Sequence, residues 1–265
     1  MFNDPAEFQR MPCFRPTLAE AYQAFPRFLL DVAQARESLD EAQLSYAASS
    51  LLSAVRRFMA MGICEVDILA ALTIEAPNPD ERLRSALRAH FNEMDLSKAR
   101  VLCVTTEYDN DAMWANYANG HSGFVFGFRH LAERSTALLA ATQVEYFADV
   151  PSVGSGLDFL LYGDSAEIRS RTLQAICFTK KAAWAYEREW RVLTWRWDEE
   201  AQYGDYSFLA EELESITFGP KSDPFMKHAV IAAVEAKYPR CNVFQLKVEC
   251  GDSIRLPIRQ VHADT

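Results

Sequence analysis

KKAAWAYEREWRVLTW, residues 180–195, is the stretch on which the reading of this chain turns. Its second part, WRVLTW, is rich in β-branched and aromatic residues and reads as a strand over residues 190–195. Taken as the entry to that strand, the preceding residues alternate between two faces. Tyr186, Arg188 and Trp190 fall on one face, and Glu187, Glu189 and Arg191 on the other. Two carboxylates and a guanidinium on one edge can orient a polyhydroxylated ligand or act as acid and base. The same three groups suit a surface ion-pair edge, worth about 0–1 kcal/mol. From these residues alone both readings stay open. Trp184 and Trp190 read as scaffold.

Outward from this strand, the second half mixes short strands with helices. Apolar Val101 to Val104 reads as a buried strand, with Thr105 and Thr106 at its end. Asp109 or Asn110 caps a short helix bearing Met113, Trp114 and Tyr117, which Asn119-Gly120 ends. His121 lies just past that end, and Phe124 to Phe128 is β-rich. Residues 144–146 and 216–218 read as strands, and 157–162 and 165–178 as helices. Asp223 caps a helix with Phe225, Met226, Ala229, Val230, Ala233 and Val234 facing inward. Two last strands meet at Gly251-Asp252.

Residues 17–98 are helical in pattern instead. Thr17 and Glu20 form a capping box, with Leu18, Ala21, Tyr22 and Phe25 on one face up to Pro26. Leu44, Leu51, Leu52, Val55, Phe58 and Met59 recur at helical spacing to Gly62. After a proline-broken turn, Asp80 or a neighbour caps a helix with the stripe Leu83, Leu87, Phe91, Met94. The fold class expected is α+β, in one domain over 1–265. A helical subdomain, 17–98, precedes a core, 99–265, whose mixed, mainly antiparallel sheet is covered by helices.

Composition narrows the function classes. Of 265 residues, 49% are hydrophobic and 24% charged, the profile of a globular protein with a sizeable core. A net charge of −10 argues against a general binder of phosphate backbones. Six cysteines and five histidines are scattered without metal-ligand spacing. No signal segment or membrane-length apolar run appears, so a cytoplasmic protein with reduced thiols is expected. Dinucleotide, phosphate-loop and serine-elbow motifs are absent.

Three blocks together carry a resemblance: FNDP at residues 2–5, MW–x2–YA–x2–HSGFVFGF from Met113, and K–x3–W–x–YEREWR followed by ITFG. On them the chain resembles the bacterial domain-of-unknown-function family 2971 along essentially its whole length. The resemblance implies a setting in bacterial phage-defence or toxin systems, with a protein partner or antitoxin as one expectation. Similar proteins carry a YKYR-like strand ahead of the NDP loop. Here the sequence opens at Met1-Phe2, and that strand is expected to be missing.

The family's architecture in turn resembles the ADP-ribosyltransferases, which implies NAD as substrate. Glu189 is then the catalytic carboxylate and Glu187 its partner. Cleaving a nicotinamide–ribose bond develops oxocarbenium character that a carboxylate on the ribose 2′-hydroxyl stabilises. Thr106, with Thr105, belongs to the middle element; Trp114 and Tyr117 would stack on a ring and Arg191 or Lys181 meet the pyrophosphate. His121 is placed with them, although a hydrogen-bonded structural histidine is its plainer reading. Asn3 and Asp4 form a polar loop at the pocket mouth, a plain turn being the alternative. The expected partner is a nucleotide, with no membrane, and with nucleic acid only as an acceptor. Two other readings remain. One is a non-catalytic regulatory module. The other is a metal-dependent nuclease built on Asp109/Asp111 and Glu187/Glu189 with Lys180 or Lys181.

Overall fold

The computed structural model describes residues 8, 11–73, 77–93, 98–195 and 205–259, excepting the side chains of 90–93. Asn3 and Asp4 lie outside the described residues. The helices are α1 (Leu18–Ala33), α2 (Tyr46–Ala60), α3 (Glu65–Leu72), α4 (Pro79–Glu93), α5 (Asp111–Tyr117), α6 (Gly156–Tyr162), α7 (Ala166–Cys177) and α8 (Pro224–Lys237). The strands are β1 (Ala99–Thr105), β2 (Phe124–Phe128), β3 (Thr142–Gln143), β4 (Glu145–Phe147), β5 (Thr179–Lys181), β6 (Glu189–Trp195), β7 (Leu213–Phe218), β8 (Asn242–Glu249) and β9 (Asp252–Arg259). The class is α+β. Two compact units emerge, Met1–Leu96 with Glu145–Lys181, and Ser97–Val144 with Ala182–Thr265. No described helix is long and apolar enough to cross a membrane.

In the first unit the capping box opens α1 as expected. The Glu20 N–H donates to the Thr17 hydroxyl at 3.2 Å, and the Thr17 N–H returns to the Glu20 carboxylate at 2.8 Å. The Thr17 N–H and, with it, the Thr17 hydroxyl donate to that carboxylate and hold the Glu20 carboxyl below its usual range. The expected stop at Pro26 does not occur, and α1 runs on to Ala33. An interior proline costs about 3 kcal/mol. Past it, Leu29 and Leu30 are wholly buried in a cluster with Phe25, Leu52, Val55, Ile68 and Leu161, which offsets that cost. Asp80 also departs from expectation. Its two carboxylate oxygens accept the N–H groups of Leu18 at 2.8 Å and Ala19 at 3.0 Å, so this residue of α4 caps α1. On α4 itself Leu83 and Leu87 are half-buried; the side chains of Phe91 and Met94 are outside the described set. Strands β4 and β5 pair in parallel, with α7 leading directly into β5.

The second unit holds two sheets. One has the order β1-β6-β3, all antiparallel, with β6 in the centre. The apolar run of β1 is not buried as its composition predicts. Among the described residues it has one strand neighbour, and Leu102 stays 50% exposed. The other sheet has the order β2-β7-β8-β9, with β7 and β8 parallel across the α8 crossover. Met226, Val230, Ile231 and Val234 of α8 cover Ile216, Phe218 and Val243. Phe225, Ala229 and Ala233 form the next row round the helix and are exposed, contrary to the inward face expected of them. The hairpin β8–β9 closes through Cys250-Gly251, both at positive φ (54° and 94°), as a two-residue turn requires.

Candidate functional site

Helix α5 and the approach to β6 build the site, both within the second unit. Asn110 caps α5, its side-chain oxygen accepting the Met113 N–H at 3.2 Å. Its side-chain amide also donates to the Tyr186 carbonyl, so one residue fixes both the helix start and the turn before β6. Asn119, Gly120 and His121 end the helix at φ of 50°, 61° and 70°. Gly219 is required there, because a Cβ on it would stand 2.2 Å from the His121 carbonyl oxygen.

The strand alternation expected for residues 186–191 is only half right in backbone terms. Ala182–Glu187 is a 3-10 turn, and Arg188 sits at φ +45° before β6 begins at Glu189. The side-chain sorting nevertheless follows the expected faces. Glu187, Glu189 and Arg191 are 2%, 5% and 0% exposed, while Arg188 points to solvent. These three groups are therefore not the surface edge of the simpler alternative. The Arg191 guanidinium grips Glu189 in a two-pronged pair, Nε to Oε1 at 2.7 Å and Nη2 to Oε2 at 3.1 Å. Thr105 on β1 stands opposite Glu189, and Cys103 and Thr142 stand opposite Arg191.

Glu187 is held differently. Its Oε1 accepts the Tyr117 hydroxyl at 2.8 Å, and Tyr117, on α5, is 53% exposed. Beside it the Asn116 amide reaches the Tyr186 hydroxyl at 3.4 Å, and the Trp184 and Tyr186 rings lie 6.0 Å apart. Arg188 donates to Glu107 at 2.7 Å.

Of the residues expected around a ligand, Tyr117, Glu187, Glu189 and Arg191 come together. Trp114 does not form a wall with Tyr117. It is 2% exposed, packed with Ala118, Val125 and Leu246, and its indole N–H donates to the Tyr108 carbonyl at 2.7 Å. Residues 114 and 117 share a helix face only loosely, and here the helix turns one to the core and the other outward. Arg191, wholly buried on Glu189, has no open guanidinium to offer a pyrophosphate. Thr106 is exposed just past β1, and His121 is half-buried, its backbone carbonyl taking the Lys221 N–H at 3.1 Å. Lys181 is exposed at the end of β5, in the first unit. Among the described residues no three His, Cys, Asp or Glu side chains gather as a metal-holding group.

Sequence reading missed Asn110 as a bridge, Asn116, Tyr186 and the Glu107–Arg188 pair. Only the cap signal of Asn110 was visible, since these links join residues some 70 to 81 positions apart. It also passed over Arg255, whose guanidinium carbon lies 4.7 Å from the Tyr108 ring centroid and 4.0 Å from that of Phe244. A lone cation in the apolar alternation IRLPI was the available signal.

Residues 113–192 match the family model described as "Protein of unknown function (DUF2971)". The matched stretch takes in α5 from Met113 onward and the Glu187, Glu189 and Arg191 cluster. No curated protein and no solved structure matches the chain.

Proposed function

We propose that this chain is an ADP-ribosyltransferase-like enzyme that uses NAD, with Glu187 as the reacting carboxylate and Glu189 as its positioning partner. One observation carries the reading. A buried carboxylate, Glu187, accepts a hydrogen bond from the half-exposed Tyr117 hydroxyl, close in sequence to a second carboxylate paired with Arg191. The roles expected of the two glutamates are thereby exchanged. Glu189 is gripped by a guanidinium, and among the donors on Glu187 is a phenol hydroxyl that a ribose hydroxyl can replace.

In the reaction the bond between ribose C1′ and the nicotinamide nitrogen breaks, and its electron pair leaves with nicotinamide. The acceptor nucleophile bonds to C1′ and its proton passes to Glu187. A carboxylate on the ribose 2′-hydroxyl stabilises the positive charge that develops in between. Tyr117 and Tyr186 offer exposed or half-exposed ring faces for the substrate, while Trp114 and Arg191 serve the scaffold.

Nicotinamide release from NAD, followed by chromatography, tests this. The expected result is release by the wild-type protein and a loss of about 100-fold or more in Glu187→Gln. Absence of release by the wild type, or equal release by Glu187→Gln, overturns it. Glu189→Gln serves as a stability control, because it deprives the buried Arg191 of its carboxylate.

A further inference from the structure

We infer that Arg255 is an anion-binding residue that takes the pyrophosphate of the dinucleotide. The identity of the ligand rests on the glycosyl-transfer reading; the anion site itself does not. Arg255 projects from β9, opposite the buried Leu246, and its guanidinium lies over the rings of Tyr108 and Phe244. Among the described residues it makes no ion pair and no hydrogen bond, and its Nε is buried without a partner. The charged group facing it is Glu214, itself bridged to Arg129 at 3.7 Å. Burial lowers the pKa of the guanidinium, so the cation is held partly out of water.

Two aromatic faces fix the plane of a guanidinium and leave its fork of donors directed away from them. A cation so oriented, with Glu214 near but not in ion-pair contact, is matched by a phosphate, which a planar fork meets with two parallel hydrogen bonds. The position relative to Glu187 supports the dinucleotide. Tyr108 lies in the short loop after β1 whose neighbours Glu107 and Asn110 bond Arg188 and the Tyr186 carbonyl. One loop therefore touches both the stacked arginine and the turn that presents Glu187. In NAD the pyrophosphate and the reacting ribose are likewise neighbouring groups, and this shared loop is the link on which the dinucleotide assignment rests.

The test is calorimetric titration of pyrophosphate and of ADP into the wild type, R255K and R255Q. The expected result is binding by the wild type, a loss of about tenfold or more in R255Q, and an intermediate loss in R255K, which keeps charge without the fork. Thermal unfolding without ligand checks that R255Q folds; removing a desolvated cation is expected to leave it at least as stable. No binding by the wild type, or equal binding by folded R255Q, overturns the inference. If pyrophosphate binds through Arg255 and NAD is not cleaved, the glycosyl-transfer reading fails and the anion site stands. If NAD is cleaved with the same KM by R255Q, the reverse holds.

Discussion

At the residue scale, Arg188 decides how two glutamates a single position apart both turn inward. The peptide leaves a 3-10 turn at Glu187 and enters a strand at Glu189, and Arg188 absorbs the change at φ +45°. Left-handed backbone costs an L-residue about 1 kcal/mol or more, and such positions concentrate at functional sites. The ion pair with Glu107 is surface-exposed on the arginine side and contributes little. Arg188→Gly and Arg188→Ala both lose that pair, so their difference isolates the backbone. Arg188→Gly is expected to be the more stable by about 1 kcal/mol, measured by urea unfolding of the two variants. The opposite order contradicts strain at this residue.

Elements were legible wherever a local signal sufficed, as with the Thr17, Asn110 and Asp223 caps, the β2 run and the last hairpin, whose turn, expected at Gly251-Asp252, falls one residue earlier at Cys250-Gly251. They were misread where a distant partner overrides the local rule. Pro26 does not end α1, because the helix beyond it buries Leu29 and Leu30. Local pattern offers Asp80 or a neighbour as the cap of the helix that follows, yet the Asp80 carboxylate closes the start of another from 61 and 62 positions away. No periodicity encodes such a reach. The consequence is measurable. Asp80→Ala removes a charged acceptor from two first-turn N–H groups of α1 and is expected to cost about 1–2 kcal/mol in urea unfolding. Asp80→Asn keeps one acceptor oxygen and should fall between. No change in either variant removes Asp80 from the capping of α1.

For the whole molecule, the same division runs through the candidate site. The sorting of Glu187, Glu189 and Arg191 onto one face was legible, because two-residue alternation survives a local turn. The burial of Trp114 and the stacking of Arg255 were not, since both depend on which sheet face α5 and β9 pack against. Burial also sets a global pH response. Cys177, at the end of α7, has its thiol pushed up from 9.0 to about 12 by desolvation. The unfolded chain releases this proton near its ordinary pKa while the folded chain keeps it. The stabilisation is therefore complete below about pH 9 and is lost as pH rises through the folded pKa near 12. Over that window one such group tilts stability downward by about 1.4 kcal/mol per pH unit. Cys177→Ala should flatten this alkaline limb in denaturation curves taken from pH 9 to 11, at some cost in stability at neutral pH. The exposed Cys64, Cys103 and Cys250 are expected to react with a thiol reagent in the native protein, and the buried Cys177 and Cys241 only on unfolding. An unchanged alkaline limb in Cys177→Ala, or labelling of Cys177 at the rate of Cys64 in the folded protein, contradicts the burial that produces the shift.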